Sequence, residues 1–170
     1  MRSQYIGNII YFPHLCLHPE KLLSMKIKDI KLLVASHIEE HSDFQIKKAD
    51  VEETGQYKDI IKDKLPKKNY GVYVWVNSET EEILYIGMAG KMYTGGKFSK
   101  QTISERLCNT RGGKSPKDAV LNIMIKECIN SLDFHIMYLK KGEPPSYIEA
   151  LMLYNYYKKT NNLPKYNNWF

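Results

Sequence analysis

The stretch GVYVWV at residues 71–76, followed by ILYIG at residues 83–87, decides the fold. Both runs are rich in β-branched and aromatic residues, which favour β-strands. The residues between them, NSETE at 77–81, are polar turn formers. The sequence therefore predicts a β-hairpin in which Tyr73 and Tyr85 lie on neighbouring strands.

The residues after the hairpin predict two helices, a strand and a last helix. Apolar residues recur at helical steps over residues 102–110 and 117–130. Residues 132–139 alternate between apolar and polar side chains well enough to form a third strand. A further helix is predicted from about residue 147 to 160. This order is typical of one α+β domain over residues 70–170.

The first 69 residues are interpreted as an N-terminal extension. From Pro19 to about His41, apolar residues recur at steps of three and four, which predicts a helix with Pro19 in its first turn. Residues 45–68 alternate acidic residues with lysines around a few apolar anchors, and they predict a short helix that ends before Pro66. We expect residues 1–69 to be mainly helical and to pack on the domain that follows.

The composition favours a folded protein with a polyanionic partner. Hydrophobic residues make up 43% of the 170 residues and charged residues 26%, which argues against disorder. The 25 Lys and Arg residues exceed the 19 Asp and Glu residues, so the net charge is +6, and nucleic acid is a natural partner for such a charge. No apolar run is long enough for a membrane span or a signal peptide, so we expect an intracellular, cytoplasmic protein without membrane contact.

The tripeptides GVY at 71–73 and YIG at 85–87 resemble the two motifs of the GIY-YIG nuclease superfamily. In that family, the motifs form the central strands of a small three-stranded sheet, mixed or antiparallel, which is flanked by helices. An arginine on a helix, a glutamate on a later helix and an asparagine near the end of the module follow. The matching residues here are Arg106, Glu149 and Asn167.

The resemblance covers residues 70–168 and implies a divalent-metal-dependent DNA endonuclease, either restriction-like or from a mobile element. Glu149 offers one hard oxygen ligand for Mg²⁺ or Mn²⁺, and no second acidic residue is an obvious partner, so one ion per active site is expected. Arg106 can hold the scissile phosphate with a bidentate fork. The resemblance also implies that Tyr73 or Tyr85 orients or deprotonates the attacking water. Tyr73 is preferred as the base, provided that a nearby cation lowers its pKa.

The two motif glycines, Gly71 and Gly87, and the asparagine have structural tasks in this interpretation. Gly87 lets the backbone turn closely past the site, and Asn167 ties the C-terminal segment to the sheet. Asn161 and Asn168 stay open as alternatives to Asn167.

The sequence departs from the family pattern after the second motif. Many members have a lysine directly after the motif glycine and the arginine about eight residues beyond it, whereas here Met88 follows Gly87 and Arg106 comes nineteen residues later. The missing positive charge could come from one of three lysines in the inserted loop, and the sequence does not say which. These are Lys91, Lys97 and Lys100.

A basic, glycine-rich region surrounds the candidate site. Between Met88 and Val120, seven basic residues stand against two acidic ones, a local charge of +5. Loops of this kind contact phosphates, and double-stranded DNA is the expected partner. The predicted nucleic-acid-binding residues are Lys91, Lys97, Lys100, Arg111 and Lys114.

Several functional questions stay open at this stage. Sequence preference could come from residues 1–69, from the loop at 88–99 or from formation of a homodimer. One alternative is a GIY-YIG module that binds nucleic acid without cleaving it, which the departures after Gly87 suggest. Another is a nuclease that acts on RNA or on branched DNA.

Overall fold

The computed structural model describes residues 24–53, 56–65, 70–99, 101–110, 113 and 115–168. Their strands form one antiparallel sheet of four, in the order β1-β4-β2-β3. The strands are β1 (Ile38–Lys47), β2 (Gly71–Asn77), β3 (Ile83–Ala89) and β4 (Ser131–Leu139). The helices are α1 (Ile27–Val34), α2 (Lys48–Glu52), α3 (Gln56–Lys64), α4 (Ile103–Cys108), α5 (Pro116–Lys126) and α6 (Pro145–Thr160).

The sheet lies between two layers of helices, which explains why β2 is apolar along its whole length. Every residue of β2 is buried. Val72, Val74 and Val76 face a cluster that includes buried residues of α1 and α6, whereas Tyr73 and Trp75 face one with residues of α2, α3, α4 and α5. Because both faces are covered, the strand reads as a continuous apolar run instead of an alternating one.

The predictions for residues 70–168 agree closely with the structure. The hairpin, the two helices that follow it, the strand and the last helix occur in the predicted order. The short helix expected before Pro66 is also present, since α3 ends at Lys64. The α+β class is therefore confirmed.

The sheet has four strands, so the prediction of three strands is wrong. Within the described residues, the helix predicted from Pro19 to His41 is reduced to α1, and a 3₁₀ turn at Ala35–His37 leads into β1. Only Ile38 and Ile46 are buried in β1, so its sequence lacks the alternation of a half-buried strand. Pairing with β4 decides its conformation, and Phe44 stacks on Phe134 across that pair with ring centroids 5.2 Å apart.

No helix among the described ranges is both long and apolar enough to cross a membrane.

The predicted N-terminal extension contributes a strand to the sheet, because β1 pairs with β4 from Ile38 to Lys47. Residues 1–23, which include the start of the helix predicted at Pro19, lie outside the described residues.

At Gly71 the backbone of β4 comes close to that of β2. A Cβ atom there would lie 2.2 Å from the carbonyl oxygen of Met137 and 3.0 Å from Cδ1 of Ile103. The backbone oxygen cannot move away without separating the two strands. We therefore expect Gly71→Ala to lower the free energy of unfolding by about 3 kcal/mol in urea denaturation.

A glycine without neighbours provides the control for this substitution. Gly95 has a φ of +90°, and no atom lies within 4 Å of the position that an added methyl group would take. Gly95→Ala should therefore cost only the backbone strain of about 1 kcal/mol. Equal losses for Gly71→Ala and Gly95→Ala would contradict the steric explanation.

Candidate active site

Tyr73 on β2 and Tyr85 on β3 project from the same face of the hairpin. Their ring centroids are 6.0 Å apart. Gly87 pairs with Tyr73, and a Cβ atom at Gly87 would lie 2.6 Å from Cε1 of Tyr85 and 2.8 Å from the Tyr73 hydroxyl oxygen. A glycine is therefore required beneath the two rings, because any side chain there would collide with them.

Arg106 reaches the tyrosines from α4, a short helix with a strong N-terminal cap. The Thr102 side chain accepts a hydrogen bond from the Glu105 backbone N–H at 3.1 Å, and the Glu105 carboxylate accepts one from the Thr102 backbone N–H at 3.0 Å. Ile103 and Leu107 on the same helix are buried in the core. This capping box fixes the start of α4, so that Arg106 is held half-buried beside the sheet.

Glu149 approaches the same place from the other layer of helices. It lies on α6, where Ile148 and Met152 are fully buried, and it is itself half-buried. Because β3 is an outer strand of the sheet, a helix from each layer can reach past its edge. Arg106 and Glu149 meet there, although they belong to opposite layers, and both line one cavity.

Asn167 fastens the C-terminal segment to this edge of β3. Its side-chain oxygen accepts a hydrogen bond from the Ile86 N–H at 2.9 Å, and its amide nitrogen donates one to the Ile86 carbonyl oxygen at 2.8 Å. The Tyr166 N–H donates to the Leu84 carbonyl at 3.0 Å. The predicted tie to the sheet is confirmed. Asn168 lines the same cavity, whereas Asn161 ends α6 in a left-handed conformation.

Removal of the Asn167 side chain should loosen this tie. We expect Asn167→Ala to lower the free energy of unfolding by about 2 kcal/mol, because both backbone groups of Ile86 lose their partner. Thermal denaturation followed by circular dichroism would measure the loss. Asn168→Ala is the matched control, since Asn168 is exposed and should tolerate the change. A loss for Asn168→Ala as large as that for Asn167→Ala would contradict the role of these two hydrogen bonds.

Two cavities meet at Tyr85, Arg106 and Tyr166, which line both. The polar cavity has a volume of about 450 Å³ and is lined by Tyr85, Met88, Lys91, Gln101, Arg106, Glu149, Leu153, Tyr166, Asn167 and Asn168. The aromatic cavity has a volume of about 540 Å³ and lies between the hairpin, α4 and α5. It is lined by Tyr73, Trp75, Tyr85, Arg106, Leu107, Asn109, Ser115, Pro116, Ala119, Asn122, Ile123, Lys126 and Tyr166.

Burial is the largest influence on the pKa of each clustered group. These groups are Tyr73, Tyr85, Glu149 and Arg106. Burial raises the pKa of Tyr73 far above the usual value, and Arg106 offsets only part of that rise. It also raises the pKa of Tyr85, with a further contribution from the Glu149 charge. Burial raises the pKa of the Glu149 carboxyl against the opposing effect of Arg106. Burial lowers the pKa of Arg106, but Tyr73, Tyr85 and Glu149 together raise it, so the guanidinium stays charged.

The predicted nucleic-acid-binding residues separate into three groups. Lys91 lines the polar cavity, so it is the candidate for the charge that is missing after Gly87. Lys97 is exposed and lines neither cavity. The other three predicted residues, Lys100, Arg111 and Lys114, lie outside the described residues.

Several residues of the site were not predicted from the sequence, among them Trp75, Gln101, Lys126 and Tyr166. Trp75 follows the first motif by two residues, and the alternation of a strand places it on the face of Tyr73. Tyr166 precedes Asn167 directly, and its hydroxyl hydrogen-bonds the Glu127 carboxylate at the end of α5. Nothing local in the sequence marks Gln101 or Lys126.

Comparisons with known proteins leave the functional assignment to the site itself. The chain matches no protein-family model, and no match was found among curated proteins or solved structures. The arrangement of Tyr73, Tyr85, Arg106 and Glu149 is therefore the observation from which a function can be argued.

Proposed function

We propose that this protein is a divalent-metal-dependent DNA endonuclease of the GIY-YIG type that acts inside the cell. The observation that carries the proposal is the meeting of Tyr73, Tyr85, Arg106 and Glu149 at the edge of β3. They come from two strands and from helices of opposite layers, so local sequence does not force them together. Hydrolysis of a phosphodiester needs a group that handles the proton of water, a cation for the phosphate and a metal ligand, and this set contains all three.

The polar cavity has the donor set that Mg²⁺ or Mn²⁺ would accept. Among the described residues that line it, Glu149 is the only carboxylate, and the Gln101 and Asn167 side chains add amide groups. Within the described part of the chain, no group of three His, Cys, Asp or Glu residues could hold a metal. Mg²⁺ commonly binds through one or two carboxylates, keeping several waters and taking substrate phosphate oxygens. Glu149 would hold the single ion, which when bound would act as a Lewis acid on the phosphate.

Arg106 would bind the scissile phosphate. Its guanidinium lines both cavities and keeps its charge, because Tyr73, Tyr85 and Glu149 raise its pKa. A guanidinium can donate two parallel hydrogen bonds to a phosphate, and it would stabilise the negative charge that grows there during attack. Its half-buried position strengthens this interaction, since less water screens it.

Tyr73 would take the proton of the attacking water, and Tyr85 would orient that water. Arg106 favours proton loss from Tyr73 more than any other neighbour does, although burial outweighs this effect. Tyr85 borders both cavities, including the one that Glu149 lines. In the protein without substrate, both hydroxyls are protonated at neutral pH. The base must therefore ionise against a raised pKa, which implies faster cleavage at alkaline pH.

The basic residues beside the site would contact the DNA backbone. Lys91 lines the polar cavity and Lys126 the aromatic cavity, so positive side chains flank Arg106 on both sides. Double-stranded DNA fits this charge pattern as the partner. Cleavage of RNA or branched DNA would use the same residues.

One observation favours a second candidate, a module that binds nucleic acid without cleaving it. The pKa of Tyr73 is raised where a base requires a lowered one, and burial is the cause. Such a module would bind DNA with the usual sensitivity to salt, no DNA would be cut, and substitutions at Glu149 would leave the binding unchanged.

Incubation of the purified protein with supercoiled plasmid and Mg²⁺ tests the proposal. We expect nicked and linear products that chelation by EDTA abolishes, and a panel of RNA and branched DNA defines the substrate. Arg106→Lys should reduce cleavage about a hundredfold, because a lysine cannot form the bidentate contact. Lys141→Arg, at an exposed position that lines neither cavity, should keep full activity. Intact substrates throughout the panel would overturn the endonuclease proposal.

A further inference from the structure

Apart from Tyr73, Tyr85, Arg106 and Lys126, the residues that line the aromatic cavity have no task in the hydrolysis described above. Tyr73, Trp75, Tyr85 and Tyr166 form part of its wall, and the Trp75 and Tyr85 rings lie 4.8 Å apart. We infer that this cavity receives one unstacked nucleobase of the DNA, from the nucleotide that adjoins the phosphate held by Arg106. This inference rests on the proposed function, and it names a structural feature of the substrate, a base that has left the stack.

The position of the cavity suits a base attached to that phosphate. Arg106, Tyr85 and Tyr166 line both cavities, so a phosphate at Arg106 lies where the two cavities join. A nucleobase is linked to its own phosphate through a single sugar, and a base that swings out of the helix can therefore enter the neighbouring cavity. The volume of about 540 Å³ is typical of a ligand pocket and exceeds that of one base.

The walls offer both kinds of contact that an extruded base needs. Aromatic rings stack on a base of any identity. The side chains of Asn109, Asn122 and Ser115, which also line the cavity, supply hydrogen-bond donors and acceptors for the edge of the base. The indole N–H of Trp75 is buried and has no hydrogen-bond partner among the described residues. Such a group gains from any ligand that brings an acceptor within its reach.

The charge around the cavity distinguishes a nucleotide from other flat ligands. Arg106 and Lys126 line it, and its lining includes no carboxylate among the described residues. A cationic ligand would be repelled from these walls, whereas a base that carries a phosphate on each side would be attracted. The first turn of α5, with Ser115 and Pro116 at the cavity, adds the positive end of a helix dipole to the same field.

Two duplexes that differ by one base test this inference. Each contains a single bulged nucleotide, and in one of them the bulge is abasic, so the phosphate charge is identical. We expect the wild-type protein in EDTA to bind the base-bearing bulge about tenfold more tightly by fluorescence anisotropy, which lies within the range for one stacked base. Equal affinities would overturn the inference.

Filling the cavity should remove the preference. Ala119 is exposed on α5 and lines the cavity, so Ala119→Phe should bind both duplexes with the affinity that the wild type has for the abasic one. Ile125→Phe is the matched control, because Ile125 is 52% exposed on the same helix and lines neither cavity. It should keep the tenfold preference. Should Ala119→Phe fold poorly, Asn122→Ala is expected to reduce the preference about threefold. A tenfold preference that survives in both cavity variants would overturn the inference.

Cleavage of the same duplexes in Mg²⁺ separates the two proposals. Equal affinity for both duplexes together with Mg²⁺-dependent cleavage would overturn the base pocket and support the endonuclease. A tenfold preference without cleavage of these duplexes or of any substrate in the panel would support the base pocket and overturn the endonuclease.

Discussion

Glu149→Gln is expected to reduce Mg²⁺-dependent DNA cleavage by about a thousandfold while leaving DNA affinity within about threefold of the wild-type value. The carboxylate is the only one that lines the polar cavity among the described residues, so no neighbouring acid can replace it as the metal ligand. Glutamine keeps the size of the side chain and removes the charge. Single-turnover cleavage and anisotropy titration would measure the two effects separately.

Glu79→Gln provides the matched control, because Glu79 is exposed in the turn between β2 and β3 and should not affect cleavage. Residual cleavage by Glu149→Gln within tenfold of the wild-type rate would contradict the role of Glu149. Loss of DNA affinity in the same variant would show that the carboxylate organises the binding surface instead.

The same substitution should raise stability at neutral pH. Burial raises the pKa of Glu149 from its usual 4.5, so the protonated form is favoured by folding. The stabilisation this gives is fully present below about pH 4.5 and is lost as the pH rises through the higher pKa of the folded state. At pH 7 the wild type has therefore lost stabilisation that the uncharged side chain of Glu149→Gln keeps. We expect the variant to melt about 2 °C higher at pH 7 and at the wild-type temperature at pH 4.

The sequence predicted the helices and strands whose buried faces are marked by regularly spaced apolar residues. The hairpin and helices α4, α5 and α6 could be predicted because apolar residues mark their buried faces. β1 carries no such pattern, since most of its side chains are exposed. Its conformation depends on hydrogen bonds to β4, about ninety residues away in the chain. Because apolar residues at 27–34 have helical spacing, the predicted helix continued wrongly into the residues of β1.

The residues of the candidate site could be predicted from the sequence, but their surroundings could not. Tyr73, Tyr85, Arg106, Glu149 and Asn167 could be chosen from their order along the chain. Their surroundings could not, because burial of the tyrosines depends on the packing of α4 and α5 over the hairpin. The raised pKa of Tyr73 follows from that burial, whereas the role predicted from the sequence required a lowered one. The aromatic cavity depends on the placement of α5 against the hairpin, which no local motif records.

Tyr73→Phe is expected to reduce cleavage at pH 8 about a hundredfold and to flatten its dependence on pH. A base whose pKa lies far above 10 is deprotonated in only a small fraction of molecules, so the wild-type rate should rise about tenfold per pH unit through pH 9 without a plateau. Phenylalanine fills the same buried space, since Tyr73 is only 3% exposed in the wild type, and the fold should therefore persist.

Tyr85→Phe is the matched control. It keeps Tyr73, so its rate should be lower than that of the wild type but should keep the same slope against pH. The opposite result, a flat profile for Tyr85→Phe and a steep one for Tyr73→Phe, would assign the base to Tyr85, because the residue that loses the proton is the one whose removal abolishes the slope.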